Sequence, residues 1–266
     1  MLRGLLNEHP NAMLTFLTVD ADKFSHFTRV IERISVETYF RYLVAELLPH
    51  VARVLYLDAD TVVVGDLGEL WQLNMEGALM AGVHDNFMHG MGPRPALGLT
   101  QDEPYVNAGV LLFDTEGMRR EGITAKLFET TQLFGENLTF QDQDALNIVM
   151  KGRIKTVDKR YNLMSIDAIA DPKLGLREAK IIHYTGSHKP WEAAYSTPNF
   201  TDVFYYEYLR KTPYASRFAP LLRDVARKER FSRRKCMNWR RVMLLGLSFF
   251  YCRGQRGSAF LRRVKR

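Results

Sequence analysis

The run Arg53-Val54-Leu55-Tyr56-Leu57, followed at once by Asp58-Ala59-Asp60, constrains this chain more than any other stretch. Five mostly apolar residues fit a strand buried in the middle of a sheet. Two carboxylates one residue apart do not belong in such a core, so the chain has to turn where they stand. In open α/β sheets the carboxyl edge of the strands is where ligands bind. Carboxylate oxygens suit a hard divalent cation such as Mg²⁺ or Mn²⁺, and such a cation would hold a diphosphate. Asp-x-Asp is also common on solvated turns, and it is the apolar strand before it that favours the metal.

Around this strand the sequence alternates between two periods. Residues 13–19 read as a strand, and further strands are predicted at 61–64, 78–83, 109–113, 154–157 and 181–184. Residues 36–48 read as a helix: Phe40, Leu43, Val44 and Leu47 share one face, Ser35 is the N-cap and Pro49 closes it. Other helices are predicted over 67–73, 124–134 and 141–150. The span 84–104 is rich in Gly, Pro, His and Met without periodicity, and reads as a long functional loop. This alternation predicts an α/β layered fold with a mainly parallel sheet.

Charge is divided unevenly along the chain. Residues 227–266 hold 14 Lys and Arg against one acid, Glu229, leaving 23 bases and 29 acids in residues 1–226. A basic tail on an acidic body points to an anionic partner. The tail interleaves its arginines with Trp239, Leu244, Leu245, Phe249, Phe250 and Tyr251, a mixture that suits a membrane surface. No nucleic-acid-binding motif is visible, so nucleic acid is not the expected partner. Its longest apolar stretch, Val242 to Cys252, is too short to span a bilayer. The two cysteines, Cys236 and Cys252, make neither a disulfide framework nor a Cys-based metal site. The N-terminal apolar runs are broken by Asn7, Glu8 and His9 and do not form a secretory signal.

Four more clusters carry polar chemistry. His183 ends a predicted strand and opens His183-Tyr184-Thr185-Gly186-Ser187-His188-Lys189-Pro190-Trp191. A neutral imidazole there could join a metal site, Gly186 would let backbone approach a phosphate and Lys189 would neutralise it. A satisfied strand-end histidine beside a packing turn is the plainer reading. Asn107, with small Ala108 and Gly109 after it, offers an amide to a sugar hydroxyl, or simply marks a turn before a strand. Asp142, Gln143 and Asp144 open a helix, where acids are favoured by the dipole and could also accept sugar hydroxyls. Arg41, within the helix of 36–48, either reaches a diphosphate or coats the surface.

In this order, Arg41, Asp58–Asp60, Tyr105–Gly109, Asp142–Asp144 and His183–Trp191 resemble glycosyltransferase family 8, over roughly residues 12–195. Within that family the chain looks like the bacterial lipopolysaccharide core glucosyl- and galactosyltransferases. The resemblance implies a GT-A fold, a UDP-hexose donor, Mn²⁺ or Mg²⁺, a lipopolysaccharide core acceptor and transfer with retention of configuration. It implies Asp58, Asp60 and His183 as metal ligands and Asp142 and Gln143 at the transferring hexose as the catalytic pair. Asn107 and Ala108 would line the donor sugar. Gly186, Lys189 and Arg41 would hold the diphosphate, with Ala59 counted among the donor-binding residues. A catalytic domain over 1–199 and a basic helical C-terminal extension over 200–266 follow, with 227–266 on the anionic inner-membrane surface and the protein cytoplasmic and peripheral. Family members begin with a strand carrying uridine-binding residues, a helix and a second strand before the equivalent of 12–19. The chain is therefore expected to lack the uridine half of the site. An inactive remnant binding only membrane or a partner is the alternative reading.

Overall fold

The structure is a computed structural model and describes residues 9, 11–28, 30, 31, 34–86, 94–100, 102–170, 178–186, 189–192 and 201–215. The basic segment 227–266 lies outside them.

One strand organises the rest. β4 (Val106–Asp114) is buried along its whole length except at Asp114. β1 (Arg53–Leu57) pairs with it antiparallel, from Arg53 opposite Asp114 to Leu57 opposite Val110. On its other side β3 (Met80–His84) is also antiparallel, and β5 (Ile154–Val157) runs parallel to β3. The order is β1-β4-β3-β5. A smaller sheet is ordered β2-β7-β6, from β2 (Thr61–Val63), β6 (Leu163–Met164) and β7 (Ile181–His183).

The expected mainly parallel sheet is corrected here: β1, β3 and β5 point one way, but reversed β4 lies between β1 and β3, so the ladders are mixed. A parallel pair needs a long crossover, usually helical. Between β3 and β4 the described residues include a helical position at Asn86 and the 3₁₀ turn Pro95–Leu97. From β4 to β5 the chain does cross over, through α-helices at Thr115–Arg120, Ile123–Phe134 and Asp142–Val149, and β5 is parallel to β3.

The stretch of 36–48 is helical but begins as a 3₁₀ helix, Val36–Leu43, before one α turn, Val44–Leu47. Three residues per turn stack Tyr39 and Tyr42 on one side. Both are buried, in an aromatic cluster with Phe24, Phe27 and Phe128. Residues 13–19 form no strand: no described strand pairs with them, and Met13 and Leu17 are exposed. Strand propensity is realised only through a neighbour's ladder and packing.

The helix Asp202–Leu209 docks on the small sheet. The Tyr184 hydroxyl donates to Thr201 O at 2.8 Å and accepts from Tyr205 N–H at 3.0 Å, while the Tyr208 hydroxyl donates to Val63 O at 2.6 Å. No helix among the described residues is long and apolar enough to cross a membrane.

Candidate active site

The two sheets meet where β1 ends and β2 begins. Antiparallel pairing of β2 with β7 sets Thr61 opposite His183, so the imidazole lies beside the residue before Thr61. His183 Nε2 is 3.2 Å from Asp60 Oδ1 and 3.9 Å from Asp58 Oδ2. One ligand atom from each of Asp58, Asp60 and His183 fits within 4.8 Å of the others. Two carboxylates and an imidazole are a donor set for Mn²⁺ or Mg²⁺, and these three residues fit such an ion. Ala59 is exposed at the turn between the carboxylates.

Gly109 makes room for the ring. A Cβ on Gly109 would fall inside the His183 imidazole, so the ring lies directly on the β4 backbone. The same residue accepts the Asp58 N–H at 2.8 Å, which fixes the start of the acidic turn.

Cations neutralise the acids from two sides. Lys189 Nζ donates to Asp60 Oδ2 at 2.6 Å and to Tyr184 O, and stands over the Trp191 ring. Burial raises the Asp60 pKa, but His183 and Lys189 outweigh it and hold the carboxyl well below the usual range. Arg41 is buried, with Nη2 on Asp58 Oδ1 at 2.9 Å, Nε on Asp142 Oδ2 at 3.1 Å and Nη1 on Ala108 O. Its plane also lies over Tyr56, whose hydroxyl donates to Asp58 at 2.7 Å. The structure thus brings Arg41 to the carboxylates. Asp142 is pushed upward by burial, against Arg41 and the Thr38 hydroxyl, which donates at 2.7 Å.

Asn107 and Ala108 lie inside β4, not on a turn before it. Gln143 Oε1 accepts from Ala108 N–H at 3.0 Å and from Asn107 Nδ2 at 3.2 Å, and Gln143 Nε2 donates to Asp85 Oδ2 at 3.2 Å. Gln141, just before them, holds a non-glycine φ of 48°, a strained conformation of the kind concentrated at functional sites. Gly186, at φ 91°, has open space where a side chain would stand.

Sequence reading missed several neighbours. Asp85 follows β3 as Asp58 follows β1, a strand-end carboxylate that could have been read. Asp144, which the sequence places with Asp142 and Gln143 as a candidate acceptor for sugar hydroxyls, is fully buried, takes a forked pair from Arg94 at 2.6 and 2.8 Å, and accepts the Tyr105 hydroxyl. Burial and Asp144 push the Tyr105 phenol far upward. Arg94 and Asn162 carried no signal in the sequence; each is brought in by tertiary register alone.

This fold and site define a class. The solved structures it resembles include galactosyltransferase LgtC in complex with donor and acceptor sugar analogs, at TM-score 0.60 and 27% identity, covering 76% of this chain and 72% of that one. The apo bifunctional glycosyltransferase WbbM aligns at TM-score 0.65 and 25% identity, covering 82% of this chain and 42% of that one. The fold is GT-A. Residues 6–194 match the family described as Glycosyl transferase family 8, and the chain belongs to that family. Among curated relatives, a putative glycosyltransferase of Haemophilus influenzae is 30% identical over 66% of this chain and 55% of its own length. Lipopolysaccharide 1,2-glucosyltransferase of Escherichia coli K12 is 30% identical over 70% of this chain and 58% of its own. The chain therefore spans little more than half the length of these relatives.

Proposed function

We propose that this chain is a retaining hexosyltransferase, moving glucose or galactose from a UDP-sugar to a lipopolysaccharide core acceptor. The observation that carries the reading is the Asp58–Asp60–His183 triad, with Lys189 on one flank and the Arg41–Asp142–Gln143 wall on the other.

Asp58, Asp60 and His183 would hold Mn²⁺ or Mg²⁺, which supplies positive charge to a departing diphosphate. Lys189, already at the Asp60 carboxylate, adds a second positive charge on the same side. Gly186 lets backbone approach a phosphate close by. Ala59 lies where the nucleotide would pass, and Arg41 acts on the diphosphate through the carboxylates it holds. Asn107 and Ala108 line the hexose. Neither Asp142 nor Gln143 is a ready nucleophile: both Asp142 oxygens are occupied by Thr38 and Arg41, and Gln143 is an amide tied at both ends. The two shape the wall against which the hexose rests, while the acceptor hydroxyl oxygen bonds to the anomeric carbon on the face from which the diphosphate leaves and its proton passes to the departing phosphate oxygen. That same-face path retains configuration without a protein-bound intermediate.

Residues 200–266 form the basic extension of this reading, with 227–266 on anionic lipid and the protein peripheral on the cytoplasmic side of the inner membrane. Flotation of the full chain with anionic but not neutral vesicles is expected; no recovery with anionic vesicles overturns this part.

Calorimetry with UDP-glucose and UDP-galactose tests the core of the proposal. Binding is expected with Mn²⁺ or Mg²⁺ and lost with chelator or in Asp60→Ala. Equal binding without metal sinks it.

A further inference from the structure

The side-chain amides beneath the triad form a chain in which every donor and acceptor is forced. Gly109 N–H donates to Asn107 Oδ1 at 3.0 Å, and Ala108 N–H donates to Gln143 Oε1 at 3.0 Å. A backbone N–H only donates, so both amides have one allowed orientation. Asn107 Oδ1 is therefore an acceptor, and Asn162, 2.9 Å away, has to present Nδ2 to it. That leaves Asn162 Oδ1 facing His183 Nδ1 at 3.0 Å. An amide oxygen accepts only, so Nδ1 carries the proton. The other ring nitrogen, Nε2, is the one aimed at Asp58 and Asp60.

The far end of the chain is anchored as firmly. Asn107 Nδ2 donates to Gln143 Oε1, Gln143 Nε2 to the Tyr105 hydroxyl at 3.3 Å, and that hydroxyl to Asp144. Every bond from His183 to Asp144 runs in one direction. Asn162 is 1% exposed and His183 is 3% exposed, so water does not substitute for a lost link.

We infer that Asn162 is a positioning residue: by accepting from His183 Nδ1–H it fixes the ring angle and leaves Nε2, the nitrogen facing Asp58 and Asp60, as the one that binds a divalent cation. The inference rests on the metal reading above. A metal-ligating histidine is set by the partner of its other nitrogen, and loss of that partner typically lowers metal affinity about ten- to hundredfold.

The test is a double-mutant cycle read by calorimetric Mn²⁺ affinity of the full chain, without donor or turnover. Asn162→Leu removes the acceptor and is expected to weaken Mn²⁺ binding about ten- to hundredfold. In a His183→Ala background the same change is expected to cost nothing further. An equal loss in that background would mean that Asn162 acts on the fold in general, and would overturn the inference. Asn162→Asp keeps an oxygen for Nδ1–H but loses the donor to Asn107 Oδ1; it is expected to bind Mn²⁺ within about tenfold of the parental affinity even if the leucine variant does not fold, and a loss of about a hundredfold in the folded aspartate variant also overturns the inference. Failure of the metal reading has a separate signature, in which His183→Ala alone leaves Mn²⁺ affinity unchanged.

Discussion

β1 faces two different environments. Toward β4 and the small sheet, polar groups are paired at defined distances: Asp58 by Arg41 and Tyr56, Asp60 by Lys189 and His183, and Asp144 by Arg94 and Tyr105. On its other side no described strand joins it, and all five β1 residues are only partly buried; Met13 and Leu17, in the unpaired stretch 13–19, are likewise exposed. The first region is held by directional bonds that tolerate little displacement. The second is held by propensity and loose apolar contact. Chemistry resides in the region where the chain has the least freedom.

That contrast can be broken by experiment, and the expected effects fall off steeply. Arg41→Met leaves Asp142 buried without its counter-charge and frees Asp58. Breaking a buried pair from one side costs about 3–5 kcal/mol, read as a lower urea midpoint at constant slope. Tyr105→Phe strips Asp144 of a donor and Gln143 Nε2 of an acceptor, at an expected cost of about 1–3 kcal/mol in the same measurement.

Lys189→Met is smaller and depends on pH. The folded-state pKa of Asp60 lies below its unfolded value, so its ion pairs stabilise the fold above the ordinary carboxylate range. That contribution is lost as pH falls through the folded value. Removing Lys189 moves the Asp60 pKa upward, and acid unfolding of the metal-free chain is expected to begin at a slightly higher pH. At the other extreme, Met13→Ser at an exposed, unpaired position is expected to change stability by less than about 0.5 kcal/mol. A loss there as large as that of Tyr105→Phe would erase the distinction between the two regions.

Much of the site was legible because the residues that could hold a metal stand at strand ends. Asp58 and Asp60 end an apolar run, and His183 ends another, so local pattern alone placed both at a sheet edge. That the two edges are the same place depends on the pairing of Thr61 with His183, which no local pattern encodes. Asn162 and Arg94 were invisible for the same reason: each stands in a short irregular segment and gains its role only from what the fold sets opposite it. The direction of β4 was equally hidden. An apolar strand reads the same forward and backward, and its direction shows only in its antiparallel pairing with β1 and β3 on either side.

The deep burial of β4 has a consequence for how such a site can diversify. Asn107 meets the amide chain, Ala108 meets Arg41 and Gln143, and Gly109 receives the imidazole, three successive positions with three different duties. A strand alternates its faces with period two, so a slip of one residue would exchange all of them at once. β4 thus works as an indexing rail. Insertions or deletions inside it erase the site as a unit, and gradual change in sugar preference has to come from the segments that flank the rail.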